Sequence, residues 1–133
     1  MIGVVTMIVA ISLTRVSPPL DRATEMSLAH FAQVRSIALA NTEAYRIRVV
    51  GTRTLAVDSA TTCGAATWTA EPELTVELPR EVRFATTSWQ ACFNSKGLSD
   101  GVVKFELVEG LNGGYSKSQG LELLLGGSVR RVP

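Results

Sequence analysis

The first charged residue of this 133-residue chain is Arg15; the stretch from Met1 to Thr14 carries no charge at all. Ile2, Val4, Val5, Met7, Ile8, Val9, Ala10, Ile11 and Leu13 make that opening apolar on every side of a helix. Thr6, Ser12 and Thr14 return their hydroxyl bonds to the helix backbone, and Gly3 permits close approach to a second helix. A helix with no polar face rests in lipid or inside a protein core. The run is shorter than the roughly 20 apolar residues that span a bilayer. Three readings follow. It is a signal-peptide core, although no basic residue precedes it and no A-x-A site follows. It is a buried helix of a soluble protein. Or it is the rear part of a longer span.

Beyond Arg15 the pattern changes. Pro18 and Pro19 kink or interrupt any helix that enters them. From near Leu20 to about Tyr45 the apolar residues Leu20, Leu28, Phe31, Val34, Ala38 and Tyr45 recur at helical spacing, with Ile37 beside the stripe. Arg22, Glu25, Gln33, Arg35 and Glu43 fall mostly off it. Such a stripe is expected to pack on a sheet. His30 has no Cys, Asp or Glu at ligand spacing, so it is expected at the surface or boundary of the fold rather than on a metal.

From Tyr45 onward short extended runs replace the helical period. Arg46 to Val49 and Thr54 to Val57 flank Gly51-Thr52 as a candidate hairpin. Asp58 to Gly64 reads as a loop. Ala66 to Thr69, Leu74 to Leu78, Val82 to Ala85, Trp89 to Phe93, Val102 to Val108, Leu121 to Leu125 and Ser128 to Val132 are further strands, with Pro72 and Pro79 as punctuation. Lys96-Gly97, Asp100-Gly101 and Asn112-Gly113-Gly114 are turns. The spacing predicts an antiparallel meander with one face on the helix. The fold class is therefore α+β: a long N-terminal helix, apolar stem plus amphipathic stalk, packed on a small antiparallel β head. The stem covers residues 1–19, the stalk 20–45 and the head 46–133.

Composition narrows the function. A net charge of +1 argues against a dedicated nucleic-acid binder, which carries a basic surplus. With a single histidine, His clusters and most general-base triads are excluded. Gly110 to Gly114 lacks the Lys-Ser/Thr of a phosphate loop and lies between strands, so it reads as a hairpin loop. Glu71, Glu73, Glu77 and Glu81 describe a solvated face rather than a catalytic set. No catalytic residue, metal site or cofactor is expected, and the chain does not read as an enzyme. Cys63 and Cys92 are the only cysteines. In an exported head they are able to pair, which stabilises by roughly 3–4 kcal/mol on the chain-entropy account; the alternative is two small buried thiols.

The order of parts resembles the type IV pilin superfamily. The stretch Ile8-Val9-Ala10-Ile11-Ser12-Leu13 followed by Arg15-Val16-Ser17-Pro18-Pro19-Leu20-Asp21-Arg22-Ala23 is similar to the stem-to-stalk junction of those proteins. Pro79 to Phe84, then Cys92-Phe93-Asn94-Ser95-Lys96-Gly97, then Leu121 to Leu125 with Gly127 and Val129-Arg130-Arg131-Val132, is similar to the H-type minor pseudopilins of type II secretion and to related minor pilins. In that group a Phe-x-x-x-Gly element, here Phe93 to Gly97, precedes a strand, and a final strand follows a Gly turn. The family's basic leader, its Gly before the cleavage site and its early Glu have no counterpart here. The junction alignment implies that about eight mature residues lie ahead of Met1, which together with Met1 to Leu13 make a full span. The family's usual proline within the stem is replaced by Thr14.

The resemblance implies a structural subunit, stored in the bacterial inner membrane with its head outside the cytoplasm and then assembled into an envelope-spanning or surface filament. Its implied partners are other pilin or pseudopilin subunits and, with a start upstream, a prepilin peptidase, with methylation of the mature terminus. Ile2, Val5, Ile8, Val9, Ile11 and Leu13 are the implied packing residues, first against lipid and then against sister stems. An alternative is a minor pilin that captures DNA during transformation, with phosphate contacts from Arg130 and Arg131 and further cations at Lys96, Lys104 and Lys117.

Overall fold

The computed structural model describes residues 18–110 and 117–133. The stem packing residues Ile2, Val5, Ile8, Val9, Ile11 and Leu13 lie outside the described residues, as does the Asn112-Gly113-Gly114 turn.

Helix α1 spans Pro19–Asn41. Pro18 is extended and Pro19 occupies the first helical position, where its missing N–H costs no helical bond. The Leu20 N–H, one of the donors that a helix start leaves without a partner, donates to Glu109 Oε1 at 3.1 Å, from the far end of the chain. The helix stops at Asn41 rather than running on to Tyr45. Thr42 takes a left-handed conformation, with φ 54°, and its N–H closes onto the Ala38 carbonyl. Tyr45 satisfied the helical stripe by coincidence of spacing. It is an inward residue of the first strand and is buried on the same core.

The buried face of α1 consists of Leu20, Ala23, Thr24, Ser27, His30, Phe31, Val34 and Ala38. The apolar stripe named only half of these. The remainder is the small residues Ala23, Thr24 and Ser27, which let the helix sit close to the two sheets, together with His30. Thr24 spends its hydroxyl on the Leu20 carbonyl at 2.8 Å. Leu28 and Ile37 lie at the edge of the same core, half-buried.

Among the described residues the head has nine strands in two antiparallel sheets rather than one meander. The first sheet takes β1 (Ala44–Val50), β2 (Thr54–Ala60), β3 (Thr69–Ala70), β4 (Val76–Glu77) and β6 (Gln90–Phe93). Its order is β3-β2-β1-β6, with β4 also on β2. The second takes β5 (Val82–Phe84), β7 (Val103–Glu109), β8 (Lys117–Leu123) and β9 (Val129–Val132), in the order β5-β7-β8-β9. The β1–β2 hairpin is the one expected, with Val50 opposite Thr54. It runs longer than its apolar residues suggest, because Asp58 and Ser59 continue β2 where a loop was expected. The expected strand over Leu74 to Leu78 is instead a 3-10 turn, Pro72–Leu74, followed by the two-residue β4.

Alternation decides which residues line the core. Tyr45, Ile47, Leu55, Val57, Ala91 and Phe93 point inward from the first sheet, and Val82, Phe84, Phe105, Leu107, Leu121 and Leu123 from the second. Phe31 fills the space between them. Its ring lies 5.4 Å from Phe105 in a stacked arrangement, 6.2 Å from Trp89 and 6.3 Å from Phe93 edge-on. Trp89 in turn stacks on Phe105 at 4.3 Å and meets Phe84 at 5.5 Å. Five of the chain's few aromatic side chains thus form one cluster where the helix and both sheets meet.

Candidate functional site

Among the described residues no group of three His, Cys, Asp or Glu side chains is placed to hold a metal. The four glutamates of the Glu71 to Glu81 stretch do not converge on a common point. Glu71 accepts from the Ser59 hydroxyl at 2.8 Å, and Glu77 faces Arg53 at 3.5 Å. The functional features are instead surfaces, and what holds them in place.

The first is a clamp at the C-terminal half of the stalk. Arg35 donates from Nε to the Gly97 carbonyl at 2.8 Å and from Nη2 to the Gly126 carbonyl at 3.4 Å. Gly97 ends the tight turn that leaves β6, which is held open by Asn94 Oδ1 accepting from the Lys96 and Leu98 N–H groups. Gly126 and Gly127 form the turn between β8 and β9. The Ser99 N–H donates to the Leu125 carbonyl and joins the two turns directly. The Phe93 to Gly97 element and the Gly127 turn, far apart in the chain, therefore meet at one stalk side chain. Both Gly97 (φ +75°) and Gly127 (φ +95°) sit where L side chains are strained. Arg35 carries no sign of this role in the sequence, where it is simply a residue off the apolar stripe.

The second feature is the outer face of the first sheet. Arg46 and Arg48 alternate with inward Ile47, so both project outward, and both engage Asp58 on the neighbouring strand. The closest contacts are 2.9 Å from Arg46 Nη2 and 2.7 Å from Arg48 Nε. Burial of Asp58 opposes its ionisation, but hydrogen bonds from Arg48 and Arg46 and their charges outweigh it and hold the carboxyl below its ordinary value of 3.8. The Arg46 guanidinium also lies 4.3 Å from the ring centre of Trp68. Cys63 and Cys92 are joined as a disulfide, tying the loop after β2 across β1 to β6.

His30, expected at the surface or boundary of the fold, is buried. It is 2% exposed, and Nε2 donates to the Leu74 carbonyl at 2.7 Å, holding the 3-10 turn against the stalk. Its Nδ1 has no partner. Burial pushes its pKa below the ordinary 6.5, against the opposing effect of the Leu74 bond. The folded state thus refuses a proton that the unfolded chain accepts, so stability falls as pH drops below about 6.5. Asp58 adds a second loss. Its contribution is intact above 3.8 and disappears as pH falls through its lower folded value. Urea titrations at a series of pH values are expected to show two separate acid declines. The first is limited to about 1.4 kcal/mol per pH unit, the slope for one proton. His30→Gln is expected to remove the first decline and leave the second.

Arg130 and Arg131 are adjacent on β9 and therefore project to opposite faces. Arg130 pairs with Glu122 at 2.7 Å, where Lys104 also approaches at 3.8 Å, on the outer face of the second sheet. Arg131 reaches Glu25 of the stalk at 2.6 Å. The two cations do not form one patch, and each already has a carboxylate partner.

Two crystal forms of the type IV minor pilin FimU from Pseudomonas aeruginosa superpose on the chain. One gives a TM-score of 0.65 at 18% identity, covering 86% of this chain and 88% of that one. The other gives 0.63 at 17% identity, covering 86% and 93%. The chain has a type IV pilin fold. No protein-family model matches the chain, and no curated protein matches it in sequence. The described helix, Pro19–Asn41, covers most of the segment expected as the stalk. No helix among the described residues is long and apolar enough to cross a membrane.

Proposed function

We propose that this protein is a minor subunit of a type IV pilus, held in the inner membrane by its apolar opening segment and then drawn into the filament. The observation that carries this reading is the conjunction of a FimU-like head and stalk with an uncharged segment, Met1 to Thr14, that enters the stalk at Pro18-Pro19. Exposing that segment to water is unfavourable by roughly 25 cal/mol per Å². It is therefore kept in lipid until other stems replace the lipid around it. Repeated head-to-tail packing of such stems builds an open helical polymer rather than a closed ring.

Both solved structures described above are of a type IV minor pilin, which supports the pilus reading. A head outside the cytoplasm is consistent with the Cys63–Cys92 bond, since disulfides persist in oxidising compartments. The DNA-capture alternative is not favoured, because Arg130 and Arg131 face opposite ways and are both paired.

Ile8→Asp tests the filament reading. A carboxylate in the middle of the apolar stem is expected to abolish incorporation into sheared filaments while the head keeps its folded circular dichroism spectrum. Incorporation at the wild-type level would count decisively against a stem-packed subunit.

A further inference from the structure

Next to the disulfide, the outer face of the first sheet holds a half-open cavity of about 250 Å³. Its rim is formed by Arg46 from β1, Gln90 from β6, Asp100 from the following turn and Trp68 from the loop after β2. The Cys63–Cys92 bond lies in its wall.

This cavity is braced from several directions. The disulfide anchors the loop to β6. The Trp68 Nε1–H donates to the Ala65 carbonyl at 3.1 Å and sets the ring's orientation. Arg46 lies over that ring and spends Nε and Nη2 on Asp58, and among the described residues its Nη1 donors have no partner. The Asp100 N–H donates to the Cys92 carbonyl at 3.1 Å, which fixes the turn. Its carboxylate has no ion-pair partner among the described residues.

We propose that this cavity binds the ring of an uncharged sugar, with Trp68 as an aromatic wall and Arg46, Gln90 and Asp100 as partners for the hydroxyl groups. Three properties select that class. Arg46 and Arg48 are balanced by Asp58 and Asp100, so neither an anion nor a cation gains a net field. The rim offers a donor-only guanidinium, an acceptor-only carboxylate and an amide that does both, and hydroxyls both donate and accept. A volume of about 250 Å³ lies below the range of pockets for drug-sized ligands, so it admits one ring rather than a chain. A free monosaccharide and the terminal unit of a surface glycan present this same chemistry. The inference does not depend on the filament reading.

Trp68 and Trp89 are the only tryptophans, and Trp89 sits in the core cluster as an internal reference. The test uses the full-length oxidised chain in a sugar-free detergent. The indole N–H resonances and the Gln90 side-chain amide are followed by NMR during separate additions of glucose, galactose and N-acetylglucosamine. Acetate and glycine serve as charged controls. A saturable shift of Trp68 and Gln90 in the millimolar range is expected for at least one sugar, with Trp89 unmoved. Asp100→Asn, and separately Trp68→Leu read through Gln90, are expected to weaken binding tenfold or more. Equal affinity for the monosaccharide and its oligosaccharide indicates recognition of a single ring, and tighter binding of the oligosaccharide indicates a glycan end. The proposal is overturned if no sugar shifts Trp68 or Gln90 at concentrations well beyond millimolar. It is equally overturned if the shifts survive Asp100→Asn undiminished, or if acetate or glycine binds more tightly than every sugar.

Discussion

Phe31→Ala is expected to destabilise the head by about 3–5 kcal/mol, the range for deleting a fully buried aromatic ring. Phe31 is 1% exposed and touches three other aromatic rings, one from β6, one from the strand's approach at Trp89 and one from β7. Truncation removes the stack on Phe105 and the edge contact with Phe93 together. Neither sheet is able to collapse into the void, because the disulfide and the Arg35 clamp hold the strands on either side. Net stability for a domain of this size is about 5–15 kcal/mol, so the loss approaches the lower end of the whole. Equilibrium denaturation in urea measures it directly. Phe31→Leu keeps most of the apolar volume and is expected to lose much less. A Phe31→Ala head within 1 kcal/mol of wild type would mean that the helix does not rest on this cluster.

Gly127→Ala is expected to cost roughly 2–5 kcal/mol, from left-handed strain together with overpacking. The added Cβ would clash with the Gly97 carbonyl oxygen and lie 2.5 Å from Arg35 Nε. The carbonyl is backbone and part of a turn held by Asn94, so it has little freedom to give way. Arg35 would have to release Gly97, and the helix would lose this link to the two turns. Arg35→Ala is expected to cost about 1–3 kcal/mol by leaving the Gly97 acceptor short of its charged partner. If the clamp operates as one unit, the double variant falls short of the sum of the single effects by more than 0.5 kcal/mol. Additive losses would show two independent turns that merely lie near one another. Gly97→Ala makes a useful contrast. Its Cβ would meet the flexible end of Leu39 at 3.0 Å, so only the backbone strain remains to be felt in full.

What was legible from residues alone depended on signals that repeat. The stalk repeats an apolar residue every three or four positions, and its location was readable to within a few residues at either end. The β1–β2 hairpin alternates and turns at a glycine, so its existence was equally plain. The errors fall where one signal serves two structures. Tyr45 lies on a helical stripe and on an inward strand position, and only Thr42 in its left-handed conformation separates the two. Asp58 reads as loop because it is charged and followed by small residues; in the fold it is a strand residue whose burial is tolerated because two arginines meet it. His30 lies four residues before Val34, at the edge of the stripe, but its polarity hides its burial, which is satisfied by one carbonyl in the distant 3-10 turn.

The sequence by itself determined that the chain opens on an uncharged apolar segment, passes through two prolines into an amphipathic helix and ends in short alternating strands. Those properties are local, because hydrophobic period and turn chemistry act between residues a few positions apart. Only the tertiary structure decided that the strands divide into two sheets and that Phe31 joins them. It also decided that Arg35 brings Gly97 and Gly126 together, that Glu109 caps the stalk, and that Arg130 and Arg131 face apart. Each of these depends on which distant groups burial forces into contact, and a buried donor or charge takes whatever partner the packing delivers.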